Sequence, residues 1–243
     1  MIDIQYPKRQ IAEDDQTEAC VTGLLGLGVL VNWGGVVAEQ EDDYNAWHSM
    51  EHMPERLSVP GFRRGRRAIG VDGTSDDQKY FMMYEAESAE IFVSAPYLAR
   101  LNDPTPWTRR ILSAYVAPSR TVCRVRQSIG RGVGGWNATV QFAAPLGPVD
   151  WLPAIAAIPG VLGAHILDGD TGLGQQPTAE KAFRESRGAA DRTVVAAILI
   201  DSYDHRAAET SLGATLDRLG EAARGAIATL YQVQHVIVPD DAR

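Results

Sequence analysis

The chain has 243 residues, 45% of them hydrophobic and 22% charged, with a formal net charge of -8. This suits a globular protein of one large domain or two of about 120 residues, and the acidic balance argues against broad binding to nucleic acid or an anionic membrane. Cys20 and Cys123 lie far apart without metal-type spacing, and no signal-peptide pattern opens the chain, so the expectation is a reduced, cytoplasmic protein. The longest apolar runs, such as Val194-Val-Ala-Ala-Ile-Leu-Ile200, are strand length, far below the roughly 20 residues of a membrane span.

Residues 1–22 are polar and acidic without a clear period and are read as a mobile or surface-lying arm. Residues 27–33 form a first strand, and a helix containing Trp47 follows and runs into Pro60-Gly61. A second strand carries Phe62-Arg-Arg-Gly-Arg-Arg-Ala68, with Arg64 and Arg66 on one face and Arg63 and Arg67 on the other. Residues 79–88 form a third strand ending in an acidic residue and a serine suited to capping the next helix. In the helix that closes this half, Trp107, Ile111 and Tyr115 are spaced by four, and residues 120–125 form a last strand.

The same order then repeats. Residues 136–142 are a first strand, a helix contains Trp151, Pro159-Gly160 turns the chain, and residues 193–202 match the third strand 79–88. Leu212, Leu216, Leu219, Ala223, Ile227 and Leu230 trace one apolar stripe before a last strand over 230–237. Between the halves, Gly130-Arg-Gly-Val-Gly-Gly135 spells the dinucleotide fingerprint but joins two strands, so it is read as a linker over 129–135. An insertion over 168–191, with a short helix expected at 179–187, is a lid or a disordered excursion by its length.

Each half therefore reads βαββαβ, the split ferredoxin-like unit, over 23–128 and 136–238. The fold expected is α+β: two tandem ferredoxin-like repeats whose antiparallel sheets cover one another in an intrachain α/β barrel.

Chemistry concentrates in the first half. Asp43-Tyr-Asn-Ala-Trp-His-Ser-Met-Glu-His-Met-Pro-Glu-Arg-Leu-Ser-Val-Pro-Gly61 holds two of the chain's five histidines. Helical spacing puts His48, Glu51 and His52 on one face, with Trp47, Met50 and Leu57 on an apolar stripe. Pro54 removes a backbone donor and should kink or stop the helix near His52. The equivalent second-half segment, Trp151-Leu-Pro-Ala-Ile-Ala-Ala-Ile-Pro159, has no ionisable side chain, so one pocket is expected, in the first half.

The segment Trp47-His-Ser-Met-Glu-His-Met-Pro-Glu-Arg-Leu-Ser-Val-Pro-Gly-Phe62, with Pro104-Thr-Pro-Trp-Thr-Arg-Arg110, resembles the EthD-like branch of the dimeric α/β-barrel superfamily. The likeness covers about residues 25–125 and only the skeleton of the second half, as a fused form of a barrel that relatives usually make by dimerisation. It implies a decarboxylase, dehydratase, cyclase or monooxygenase acting on aromatic or polyketide-like small molecules, often without cofactor, although some relatives bind haem. Glu51-His52-Met-Pro54 matches the family's Glu-His-x-Pro pattern, whose histidine is the usual acid or base.

The leading expectation is a cofactor-independent lyase or isomerase. His52 moves a proton at a pKa near neutrality, aided by Glu51 and His48. Arg66 or Arg109 holds an anionic group, and Tyr84, Tyr97, Trp107 and Trp47 form walls. His165 aligns with Arg66 as a polar group of the second half, while His205 and His235 carry no assignment. His48-Ser-Met-Glu-His52 also spells H-x-x-E-H, so His48 and His52 are alternatively ligands of a divalent metal or of haem iron. A carrier that only binds a small hydrophobic ligand is the non-enzyme reading. One fused barrel can act as a monomer, and a homodimer stays open.

Overall fold

A computed structural model describes residues 23–186 and 192–242, so the expected arm over 1–22 and the last part of the insertion lie outside the described residues. The first repeat comprises β1 (Gly28–Val36), α1 (Glu41–Trp47), a π turn (His48–His52), α2 (Met53–Leu57), β2 (Phe62–Gly70), β3 (Tyr80–Ala86), α3 (Ala95–Asn102), α4 (Pro106–Leu112) and β4 (Tyr115–Gly130). The second comprises β5 (Trp136–Phe142), α5 (Leu152–Ala156), β6 (Val161–Gly169), α6 (Ala179–Ser186), β7 (Ala196–Ser202), α7 (His205–Leu219) and β8 (Ile227–Ile237). The strands close into one antiparallel barrel in the order β1-β3-β2-β8-β5-β7-β6-β4. Each half contributes four neighbouring strands, and the halves are hydrogen-bonded along two seams, β2 with β8 and β4 with β6.

The repeat is visible in the backbone. Gly61 and Gly160, the glycines of the two Pro-Gly pairs, both sit at φ 94°, a left-handed conformation that a side chain strains, and each turns its helix into the following strand. The equivalence of the third strands is two residues from the expected one. Asp201 pairs across the sheet with Asn137 and Gly163 as Glu85 does with Val29 and Arg64, so Glu85, not Glu87, is its counterpart.

Three elements depart from the helical periodicity. Tyr115 opens β4 instead of extending α4. Ile227 and Leu230 lie on β8, because α7 ends at Leu219 and Gly220 breaks the run at φ 49°. Met50 is 76% exposed and does not join Trp47 and Leu57 in packing.

Inward residues of the barrel, among them Val29, Val31, Trp33, Phe81, Met83, Leu199 and Tyr231, form one buried cluster. Trp33 donates from Nε1 to Thr139 Oγ1 across the interior at 3.3 Å. Beside it lies a belt of buried charge. Arg64 donates to both oxygens of Glu85 at 2.8 Å, and Arg66 lies 3.3 Å from Glu85 and donates to Asp201 at 2.5 Å. Asn137 also donates to Asp201, and His165 bridges Asp201 Oδ2 at 3.3 Å and Ser128 Oγ at 2.9 Å. Burial alone would raise the Asp201 carboxyl pKa, but the Arg66 charge and the His165 contact hold it below its ordinary value. Arg66 is thus committed inside the barrel and does not hold a substrate anion as expected; His165, its aligned counterpart, shares the same carboxylate.

No helix among the described residues is long and apolar enough to cross a membrane. Removing one partner of a buried pair leaves an uncompensated charge. Asp201→Ala should therefore lower unfolding free energy in urea by about 3–5 kcal/mol, whereas Arg63→Ala, which breaks an exposed pair with Glu87, should leave the midpoint nearly where it is.

Candidate functional site

Pro54 cannot donate to the Met50 carbonyl, and the chain accommodates this by widening one turn instead of breaking the helix. Met53 N–H reaches back to the His48 carbonyl, a five-residue step, and the helix resumes through Leu57. A π turn has more residues per turn than an α-helix, so residue i+4 stays over residue i while i+3 falls further round. His48 and His52 accordingly remain neighbours, with ring centroids 5.3 Å apart. Glu51, expected to share their face, instead accepts from Thr105 Oγ1 at 2.6 Å and Thr108 Oγ1 at 3.2 Å on the α4 side.

Trp47 fixes the base of this turn. It is fully buried, donates from Nε1 to Thr108 Oγ1 at 3.1 Å, and lies 4.3 Å from the His52 ring. It backs the histidine and does not line the cavity. Trp107 also lies outside the lining: its Nε1 donates to Asp43 at 2.9 Å, and α4 turns Arg109 out to solvent. Amphipathic spacing shows which residues share a face but not which face another element covers, hence the misplacement of both.

The cavity lies outside the barrel wall, between the outer face of β1, β3 and β4 and the helices of the first repeat, and counts about 670 Å³ out to its mouth. His48, His52, Tyr84 and Tyr97 line it, together with Asn32, Tyr44, Arg56, Tyr115, Ser119 and Arg120. From the insertion, α6 adds Glu180 and Arg184, so this element of the second repeat covers the site of the first. Arg56 donates to Glu180 at 2.5 Å with both side chains buried, and Arg120 donates to Tyr97 Oη at 3.1 Å.

Several of these residues carry a signal in the sequence. Arg56 follows His52 by four, and Asn32 interrupts an apolar strand, while Glu180 and Arg184 are four apart on a short amphipathic helix. Nothing in the sequence says that the last pair folds back onto the other half.

Among the described residues, four buried polar atoms of the lining have no hydrogen-bond partner: Nδ1 of His48, Nδ1 of His52, Tyr84 Oη and Ser119 Oγ. Orphaned buried polar atoms are costly, and a ligand or a bound water reaching these four would supply the missing bonds. Burial lowers the pKa of both histidines well below the ordinary value, reinforced by Arg67 at His48 and by Arg56 at His52. Both are therefore neutral at neutral pH, which overturns the expectation of a near-neutral pKa at His52. Burial raises the Tyr84 and Tyr115 hydroxyls well above their usual range, so both remain proton donors.

The lining does not suit a divalent cation. Arg56, Arg120 and Arg184 face one lining carboxylate, Glu180, and among the described residues no three His, Cys, Asp or Glu side chains are placed to share a metal ion. Nor can both histidines ligate one haem from opposite sides, because no porphyrin plane fits between neighbouring side chains on one helix turn.

No protein-family model and no curated protein matches the chain by sequence. Solved structures match by shape. An anthrone oxidase-like protein superposes with a TM-score of 0.54 at 14% identity, covering 89% of this chain and 94% of that one. A candidate monooxygenase from Fusobacterium nucleatum subsp. nucleatum gives 0.51 at 9% identity, covering 88% and 95%. At such identities the likeness is one of fold: a closed eight-stranded α/β barrel with external helices.

The histidine shifts have a consequence for stability. Because the folded-state pKa values lie below the unfolded value of about 6.5, the unfolded chain binds more protons between them; stability is full above that pH and declines as pH falls. Urea midpoints measured from about pH 7.5 to about pH 5 should drop progressively. A His48→Gln, His52→Gln double variant should show a shallower drop, with a remainder from half-buried His235, whose pKa is also lowered.

Proposed function

We propose that the protein is a small-molecule enzyme whose His52 takes a proton from an acidic carbon or hydroxyl of an aromatic or polyketide-like carbonyl substrate. The observation that carries this reading is the pairing of neutral imidazoles, each with an unpartnered nitrogen, with guanidinium groups in one tyrosine-walled cavity. His52 is the better base because it is partly exposed at the cavity, whereas His48 is 1% exposed behind it. A depressed pKa makes a weak base, so the anion formed must itself be stabilised. Arg120 and Arg184, with the Tyr84 hydroxyl, line the same cavity and are placed to do this, while Arg56 adds its charge from its pair with Glu180.

Return of the proton to another atom gives an isomerase, and loss of a leaving group gives a lyase; these are the favoured outcomes. The activities named for the two structural neighbours favour a second outcome for the same anion, reaction with dioxygen. In either case side chains perform the proton transfer without a resident cofactor. One chain closes the barrel, so a monomer suffices for the site.

Screening aromatic and polyketide-like carbonyl compounds for turnover identifies a substrate. His52→Gln should then lower kcat by about 10²–10⁴-fold with ligand affinity nearly unchanged, the range expected for loss of a general base. Wild-type kcat/KM should stay flat below the ordinary histidine pKa and fall only at lower pH, since the neutral base is the active form. An unchanged kcat in the variant would remove His52 from the chemistry, and binding without turnover of any compound would leave a carrier.

A further inference from the structure

A second, smaller cavity, about 350 Å³ including its opening to solvent, adjoins the first. The two share Leu101, Arg120, Glu180 and Arg184, so α6 stands with α3 and β4 at their common wall. They differ in chemistry. The inner chamber holds the histidines and tyrosines, while Phe92, Leu98 and Leu173 give the outer one an apolar side. Cationic groups gather at the boundary, with Arg120 and Arg184 in the shared wall beside Glu180 and Lys181 on the outer side.

From this arrangement we infer that the ligand is elongated and anionic: one aromatic group lies against the histidines, the anionic group meets Arg120 and Arg184, and a second apolar group fills the outer chamber. The insertion is then the specificity element of the site. Its α6 supplies Arg184 for charge, and Leu173, just before it in the chain, sets the depth of the outer chamber. Arginine suits this role because its planar donors meet a carboxylate, phenolate or enolate in more than one orientation. The inference rests on reading the inner cavity as a ligand site, but not on His52 being a base, because it concerns binding alone.

The test is calorimetric titration of the full chain with benzoate, a one-ring acid, and biphenyl-2-carboxylate, which carries its carboxylate beside the junction of two rings. The two-ring acid should bind about 10-fold more tightly, the order expected for burying part of a second ring. Leu173→Trp, or Leu98→Trp if the first variant does not fold, should abolish that advantage and leave benzoate affinity unchanged. Arg184→Met should weaken both acids about 10-fold, as for loss of a charge-assisted hydrogen bond, while leaving neutral biphenyl-2-carboxamide unaffected. A two-ring advantage that persists in the folded tryptophan variant, or carboxylate affinities unchanged in Arg184→Met, would overturn this inference alone. Failure of both acids to bind would overturn it together with the inner cavity as a ligand site, whereas loss of turnover in His52→Gln with the ring preference intact would uphold both.

Discussion

Closure of the barrel along two hydrogen-bonded seams is the constraint on which the other features depend. A four-stranded ferredoxin-like sheet leaves two open edges and one face without helices. Joining β2 to β8 and β4 to β6 removes all four edges and turns both bare faces inward. Once the faces are enclosed, whatever points inward must be packed or paired. The interior meets this with an aromatic and aliphatic cluster and with a belt in which Arg64, Arg66, Glu85, Asp201 and His165 are linked by ion pairs. The Arg66 to Asp201 contact is the sharpest case: it joins strands three places apart in the barrel order, so its partners meet only because the sheet has closed.

Closure also places the cavity outside the wall. With the interior filled, space for a ligand is found where the helical layer of the first repeat stands off the sheet. The repeats resolve this layer in different ways. In the second, Leu152 and Ile155 of α5 pack into a continuous apolar cluster with α7 and the strands beneath. In the first, the same position carries His48, His52 and Arg56 on a helix widened by one π turn, and the layer keeps a polar-lined gap. Insertions of this kind are commonly functional sites, since they re-aim side chains at a cost to local packing.

The electrostatics of the gap follow from the same geometry. Enclosing two imidazoles near several guanidiniums disfavours protonation, so the histidines are neutral and the positive charge resides on arginine. Glu180 compensates part of that charge from the other half of the chain, and its contact with Arg56 fixes α6 over the cavity. The second repeat thus serves the site twice, by closing the sheet and by covering the gap.

The two-fold plan was legible in the sequence because its markers are local. Pro-Gly turns and alternating strands report backbone geometry within a few residues, whereas the acidic-serine ends of the third strands align the halves two residues out of register, and neither Ser88 nor Ser202 caps the next helix with its side chain. The concentration of His48 and His52 in one half, against an apolar equivalent in the other, was legible for the same reason. Tertiary structure decided what those residues face. Glu51 left the histidines because a proline-induced π turn rotated it toward Thr105 and Thr108, a change of register that α-helical spacing does not contain. Arg66 pointed inward as strand alternation implied, but met Asp201 instead of a ligand, because the partner lies 135 residues away and is brought near only by closure. Glu180 and Arg184 belong to the site through a fold-back of the insertion across the repeat boundary. Periodicity determines which side of an element a residue occupies; which element covers that side is set by packing between segments distant in the chain, and that alone assembled the cavity.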